Sequence, residues 1–500
     1  MVQRLWDRRE LIAAAGLSAM VLPLSACQTA AVASASDGSG HPLLVRPRWS
    51  NELDAVHKQK FHTAVAWFKA NDQGRFPNSD PRSYLTWKKL ASAHALSCQH
   101  MTHLFLPWHR LYLSYFEAAC RYALRDASFV LPYWDWTLDS QLPAEFSSSA
   151  FPHFKVLRAL HAQAQIPAEF VGKSAIERIL AIDDFYAFHS GPAPSIFHNS
   201  QMMAGHLEGT CHNAVHNTIG GPMLRLAAPE DPIFWLHHAN IDRLWSAWSR
   251  RHPQAMVPSE KPADWLATSL KLTFLDPSAP GKSRVLPDIP RTEFNAAIAG
   301  NCLVKDVLTA AAAQYTYDDL LKAGPEAAKP TPFTGRNEYL VDGMARVEKS
   351  VLISAITLNP ELTQKLQNIG GGHVSLLALN VPVLPDPAIS NRLIIRFFAF
   401  EAGEVSHEYL NSVRTQVAMQ RPDYLGSYTF LAQGHLTHEQ VSKGTVNLNL
   451  DITAWILSNQ SQNLGKFTVL AVVLDPAKQN SIVNLFEDVE TEIKLQFAAS

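Results

Sequence analysis

His212 and His216 stand four residues apart in the stretch GTCHNAVHNTIGG (209–221), and this spacing constrains the chain more than any other single feature. On a helix, positions i and i+4 lie about 40° apart around the axis, so both imidazoles leave the same face. Taken alone, the pair reads equally as two unconnected surface or core histidines. Three further helical patterns stand with histidines, however. YLTWKKLASAHAL (84–96) contains His94, and RLYLSYFEAACRYALR (110–125) follows directly on His109 and is apolar around much of its circumference. DPIFWLHHANIDRLWSAW (231–248) contains His237 and His238, with Pro232 suited to a first helical position. Four helices that each bring histidine predict a bundle with a site in its middle.

The rest of the chain is organised around that bundle. At 500 residues several domains are expected, and the charge is nearly balanced, 43 basic against 45 acidic side chains. No basic field of the kind a nucleic-acid binder uses is present, so no nucleic-acid partner is expected. The start, DRRELIAAAGLSAMVLPLSAC, carries Arg8 and Arg9 before an apolar run too short to span a bilayer. Residues 1–35 are therefore read as a twin-arginine export signal. Leu24-Ser25-Ala26-Cys27 resembles a bacterial lipobox, which would make Cys27 a lipidated first residue anchored at the periplasmic membrane or cell surface. Cleavage after Ala33–Ala35 would instead release a free protein. Residues 36–322 form the helical domain, and the proline- and alanine-rich stretch AGPEAAKPTPFTG opens a linker over 323–345. From 346 to 500, seven short apolar runs alternate with turn residues, as in TVNLNLDI and EIKLQF, and predict an all-β sandwich. Cys120, Cys211 and Cys302 are too few for a disulfide scaffold and read as buried apolar residues or one bridge.

What the histidines hold follows from what surrounds them. Asn213 stands where the protease motif H-E-x-x-H needs its glutamate and cannot act as a general base, so metal-assisted hydrolysis loses its chemistry. Asp242, one turn after His238, can accept the ring N–H of a ligating histidine and fix its orientation. Upstream, AHALSCQHMTHLFLPWHR supplies His94, His100, His103 and His109. Two facing sets of three neutral imidazoles suit copper or zinc, and zinc pairs usually need bridging carboxylates. None is evident, so the pattern points to a copper pair that binds dioxygen.

CQHMTHLFLPWHRLYLSYFE and LEGTCHNAVHNTIGG with DPIFWLHHANIDRLW resemble the two copper-binding regions of the tyrosinase, catechol oxidase and haemocyanin family. DWLATSLKLTFLD, QYTYDDL and the final sandwich resemble the corresponding parts of plant polyphenol oxidases. The resemblance implies two copper ions, one on His94, His100 and His109 and one on His212, His216 and His238. His62 is a rival for the place of His94, while His103 and His237 become structural neighbours. Cys98, two residues before His100, matches a cysteine joined to that histidine by a thioether in fungal tyrosinases; the alternative is an ordinary buried thiol. Glu208 and Asn213 resemble the pair that holds an activating water in monophenol-oxidising members. Arg225 falls where plant members place a bulky gate, and otherwise points to solvent. The implied function is ortho-hydroxylation of phenolic monophenols and oxidation of o-diphenols to o-quinones with dioxygen. A catechol or o-aminophenol oxidase, or a haemocyanin-like oxygen carrier, would use the same histidines. The sandwich resembles domains that cover the copper cleft and keep the enzyme latent.

Overall fold

A computed structural model describes residues 43–499, apart from 78–79, 159–164, 193–201, 259–261, 276–282, 286–301, 322–336, 371, 402, 432–443 and 488–490. The expected export signal with Cys27, and the linker up to residue 336, lie outside the described residues.

The helical part is built from α1 (Ala55–Asn71), α2 (Trp87–Ser97), α3 (Phe105–Leu124), α4 (Ala168–Val171), α5 (Lys173–Ala181), α6 (Phe185–His189), α7 (Asn213–Ile219) and α8 (Ile233–Arg251). Asp54 and Thr86 cap α1 and α2 by accepting the N–H groups of Val56 and Lys89. Every residue of α3 from Phe105 to Arg121 is buried, and so is every residue of α8 from Ile233 to Ser246. A helix apolar on all sides has to lie inside the protein. The two cross in the core, where Phe116 stacks on Trp235 with ring centroids 3.6 Å apart. All four histidine-bearing patterns are helical. α7 is short, and a wide π turn over Leu207–His212 leads into it.

The seven apolar runs beyond residue 346 are all strands of a sandwich. One sheet orders Met344–Glu348, Val351–Thr357, Lys466–Asp475, Ile394–Glu401 and Tyr424–Thr429, with Ser481–Ile482 at its side. The second orders Gly191–Pro192, Met202–Ala204, Thr445–Asp451, Val374–Pro382, Glu492–Ala499 and Asn337–Asp342. Leu376, Leu448 and Leu495 of the second sheet meet Ile395, Phe397 and Val469 of the first in one apolar core.

Two features depart from the expected boundaries. Strands Asn337–Asp342 and Met344–Glu348 occupy the end of the expected linker; they are short, charged edge strands with little apolar alternation to reveal them. The helical part also contributes to the sandwich. Met202–Ala204 pairs in parallel with Thr445–Asp451, bringing Met203 beside Asn447 and Ala204 beside Leu448. Ala35–Ser500 accordingly forms one compact unit. Cys98, Cys120, Cys211 and Cys302 are all free thiols, so the bridge left open by the sequence does not form among them. Among the described residues no helix is long and apolar enough to cross a membrane.

Candidate metal centre

α2 carries His94 in its last turn, the following loop carries His100, and α3 carries His109 on its buried face. One ligand-capable atom from each of these three lies within 4.8 Å of the others. His212, at the end of the π turn, joins His216 of α7 and His237 and His238 of α8 in a second group within the same limit. The groups abut. The His109 and His238 rings stack 4.4 Å apart, the His100 and His212 rings lie 5.7 Å apart, and the Nε2 atoms of His216 and His238 approach to 3.3 Å.

Backbone carbonyls set the tautomers. The Nδ1 atoms of His94, His109 and His216 lie 2.8, 2.8 and 2.6 Å from the carbonyls of Leu226, Phe105 and Met223. A carbonyl only accepts, so each Nδ1 carries the proton and Nε2 keeps the lone pair a metal requires. His212 donates from Nδ1 to the Asn213 side-chain oxygen at 2.9 Å, with the same result. His237 is the reverse case: its Nδ1 accepts the Trp136 indole N–H at 3.2 Å, which puts the proton on Nε2. Within the group of four, His237 thus presents an N–H, His212 and His216 keep an Nε2 lone pair, and His238 sets its Nε2 beside that of His216.

Burial keeps these rings neutral. It holds His94 down to about 3 and His216 down to about 4, and holds His109 and His238 well below the ordinary histidine value, with neighbouring imidazoles adding to the effect. The donor set is uncharged nitrogen with no thiolate or carboxylate among the grouped ligands, which fits copper. His62 lies elsewhere, on α1 among Phe151, His153 and Phe154, so it does not compete with His94. His103 also stands outside both groups; its carbonyl accepts the Trp265 indole N–H.

Glu208 is 2% exposed, and its carboxylate accepts the Met101 N–H on both oxygens, at 2.8 and 2.9 Å, and the Ser190 hydroxyl at 2.7 Å. Burial nevertheless pushes Glu208 up to about 8 against those bonds. Glu208 and Asn213 line one cavity, and Thr429, Phe430 and Leu431 of the sandwich close it. Asn213 donates to the Thr429 carbonyl at 3.1 Å, and Asn217 donates to the Phe430 carbonyl at 2.6 Å. The sandwich therefore sits over the cavity.

Asp242 does not orient His238. It accepts Arg110 Nε at 2.6 Å and the Tyr315 and Tyr317 hydroxyls at 2.5 Å, with Arg46 Nη1 at 3.5 Å. Arg46 and Arg110 are wholly buried cations, and their need for a counter-charge outweighs that of a neutral imidazole. Arg225 is exposed, although the carbonyl of the next residue, Leu226, holds His94. Cys98 is half-buried at the end of α2, and burial raises its thiol well above the usual range. Met101, Ser190 and Trp136 act on the site without any local sequence signal, since each works through a contact made only by the fold.

Known proteins resemble this arrangement. The common central domain of tyrosinase matches residues 59–171 and 157–251. Tyrosinase HcTyr1 of Hahella sp. (strain CCB-MM4) is 38% identical over 30% of this chain and 37% of its own length, so the match spans little more than a third of that protein. The tyrosinase of Streptomyces galbus is 30% identical over 41% of this chain and 82% of its own. The structure of latent apple tyrosinase superposes with a TM-score of 0.61 at 19% identity, covering 91% of this chain and 97% of that one, which shows a shared fold, sandwich included. The histidine geometry and the extent of the Streptomyces galbus match lead to one assignment: the chain belongs to the tyrosinase and polyphenol oxidase family.

Proposed function

We propose that this protein is a copper-dependent tyrosinase that ortho-hydroxylates monophenols and oxidises o-diphenols to o-quinones with dioxygen. His94, His100 and His109 would hold one copper ion and His212, His216 and His238 the other. When bound, the copper pair supplies the redox chemistry with dioxygen. An o-diphenol needs only to deliver two electrons and two protons. A monophenol must first lose its hydroxyl proton, and Glu208 accepts it, directly or through a water held with Asn213. The Ser190 hydroxyl and the Met101 N–H aim the carboxylate at that task.

The observation that carries this reading is the buried Glu208 carboxylate lining the same cavity as Asn213, whose side-chain oxygen holds His212. Oxygen uptake by the copper-loaded chain with a monophenol, a diphenol and no substrate tests it. Glu208→Gln is expected to lower monophenol turnover by about a hundredfold or more, the scale of a lost general base, and diphenol turnover far less. Equal losses would refute the role.

Further parts of the reading rest on sequence. The chain is exported and anchored through lipidated Cys27; an unchanged membrane partition in Cys27→Ala would reject this. Arg225, exposed beside the His94 support, favours phenols bearing a carboxylate. Unchanged selectivity between acidic and neutral phenols in Arg225→Ala would remove that role. The sandwich keeps the enzyme latent by closing the Glu208 cavity.

A further inference from the structure

Met101 follows His100 directly and has a φ of +54°, left-handed backbone that a residue with a Cβ adopts only when its surroundings over-determine it. Two sets of contacts do so. The Met101 N–H donates to both oxygens of Glu208. The Met101 side chain, 6% exposed, belongs to the apolar core of the sandwich together with Ala204, Tyr428 and Phe430, and not to the helical core. One residue therefore has its chain neighbour in the first histidine group, its amide on Glu208 and its thioether in the other part of the fold.

The segment bearing Glu208 is held in the same manner. Its leading strand, Met202–Ala204, is paired into the sandwich sheet. Just after Glu208, the Tyr428 ring lies so close to Gly209 that a Cβ there would stand 2.5 Å from ring atoms. The π turn Leu207–His212 follows the first clamp and contains the second, a winding that concentrates at functional sites.

We infer that Met101 is a positioning residue through which the docked sandwich fixes the Glu208 carboxylate, so that the sandwich is part of the hydroxylating machinery as well as its cover. The inference rests on the reading of Glu208 as the proton acceptor. A carboxylate points where its donors hold it, and here one donor is an amide whose strained conformation depends on a side chain buried in the sandwich. Loosening that side chain lets the backbone leave the left-handed region, and the amide leaves Glu208 with it. Shielding and positioning then oppose each other: a loosened sandwich admits substrate while Glu208 loses its aim. Diphenol oxidation, which needs no base, gains, and monophenol hydroxylation falls behind.

The test uses the full chain. Met101→Ala empties the slot in the sandwich and keeps a Cβ at the strained position; Met101→Leu refills the slot. Amide hydrogen exchange, read on both metal-free and copper-loaded protein, is expected to accelerate about tenfold or more at residue 101 and across 203–212 in Met101→Ala. The monophenol-to-diphenol turnover ratio is expected to fall by about the same factor with little change in monophenol KM, and Met101→Leu to restore both. Unchanged exchange and an unchanged ratio in Met101→Ala would overturn the inference, as would a folded Met101→Leu that restores neither. Should Met101→Ala not fold, Leu448→Ala thins the sandwich side of the same cavity, and unchanged exchange at residue 101 there refutes the coupling equally. If Glu208→Gln leaves the ratio untouched, the reading of Glu208 fails, while the exchange data still decide whether the sandwich holds Met101.

Discussion

Glu169→Gln removes one charge from the ion pair that joins the helical part to the sandwich. Glu169, on α4, accepts Arg396 Nε at 2.7 Å and Nη2 at 2.8 Å, and also the Ser427 hydroxyl. The two side chains are 4% and 2% exposed, and Arg396 also donates to the Val413 and Thr415 carbonyls, which are neutral. The variant leaves a buried guanidinium without its carboxylate, which costs about 3–5 kcal/mol. At about 1.4 kcal/mol per factor of ten, the docking equilibrium shifts by roughly a hundredfold to a few thousandfold toward the open state. The full-length variant should therefore oxidise an o-diphenol without cleavage in the 322–336 segment, at a rate approaching that of the cleaved wild type. Glu169→Leu combined with Arg396→Met replaces the pair by apolar side chains, a change often neutral or favourable, and should restore latency. A folded, copper-loaded Glu169→Gln that stays as inactive as the uncleaved wild type, while cleavage activates both, would refute the claim that this pair holds the cover closed.

Other expectations are more local. His238→Ala should lose about half of the bound copper, whereas His237→Gln should keep it, because Trp136 already occupies Nδ1 of His237; the reverse result would reassign the ligand. His94 and His216 are held down to about 3 and about 4, so as pH falls below about 6.5 the unfolded chain takes up their protons first. The metal-free fold should lose about 3 kcal/mol for each by pH 4, seen as a falling urea midpoint, and a flat midpoint from pH 7 to 4 would contradict the burial of neutral rings. Glu208, raised to about 8, works in the opposite sense. The fold holds its proton more tightly than the unfolded chain does, so it lowers stability from about pH 4.5 up to 8, and Glu208→Gln should remove that slope. Intact mass of the copper-loaded protein should show a deficit of two hydrogens, lost in Cys98→Ser, if the thioether to His100 forms; no deficit would exclude it.

The readable parts of this protein are those whose signal is local. α3 and α8 carry apolar residues around much of their circumference because they are buried on every side, and strands such as Thr445–Asp451 alternate because one face meets the opposite sheet. His212 and His216 declare themselves by spacing, and their partners by resemblance to a known family. What could not be read depends on residues distant in the chain. Trp136, which decides the tautomer of His237, stands 101 positions away, and Asp242 reads as the partner of a ligating histidine because its real partners, Arg46, Arg110, Tyr315 and Tyr317, come from three separate segments. Met202–Ala204 is too short to show a period, yet it ties the two parts of the fold together. The left-handed backbone at Met101 has no glycine to announce it.

Copper content of the purified, loaded chain, measured together with dioxygen consumption on an o-diphenol, tests the central claim most directly. Two clusters of neutral imidazoles predict two copper ions per chain, with His109→Ala and His216→Ala each removing about one and each abolishing oxygen uptake. A single copper per chain, or uptake that survives loss of either cluster, would contradict the account.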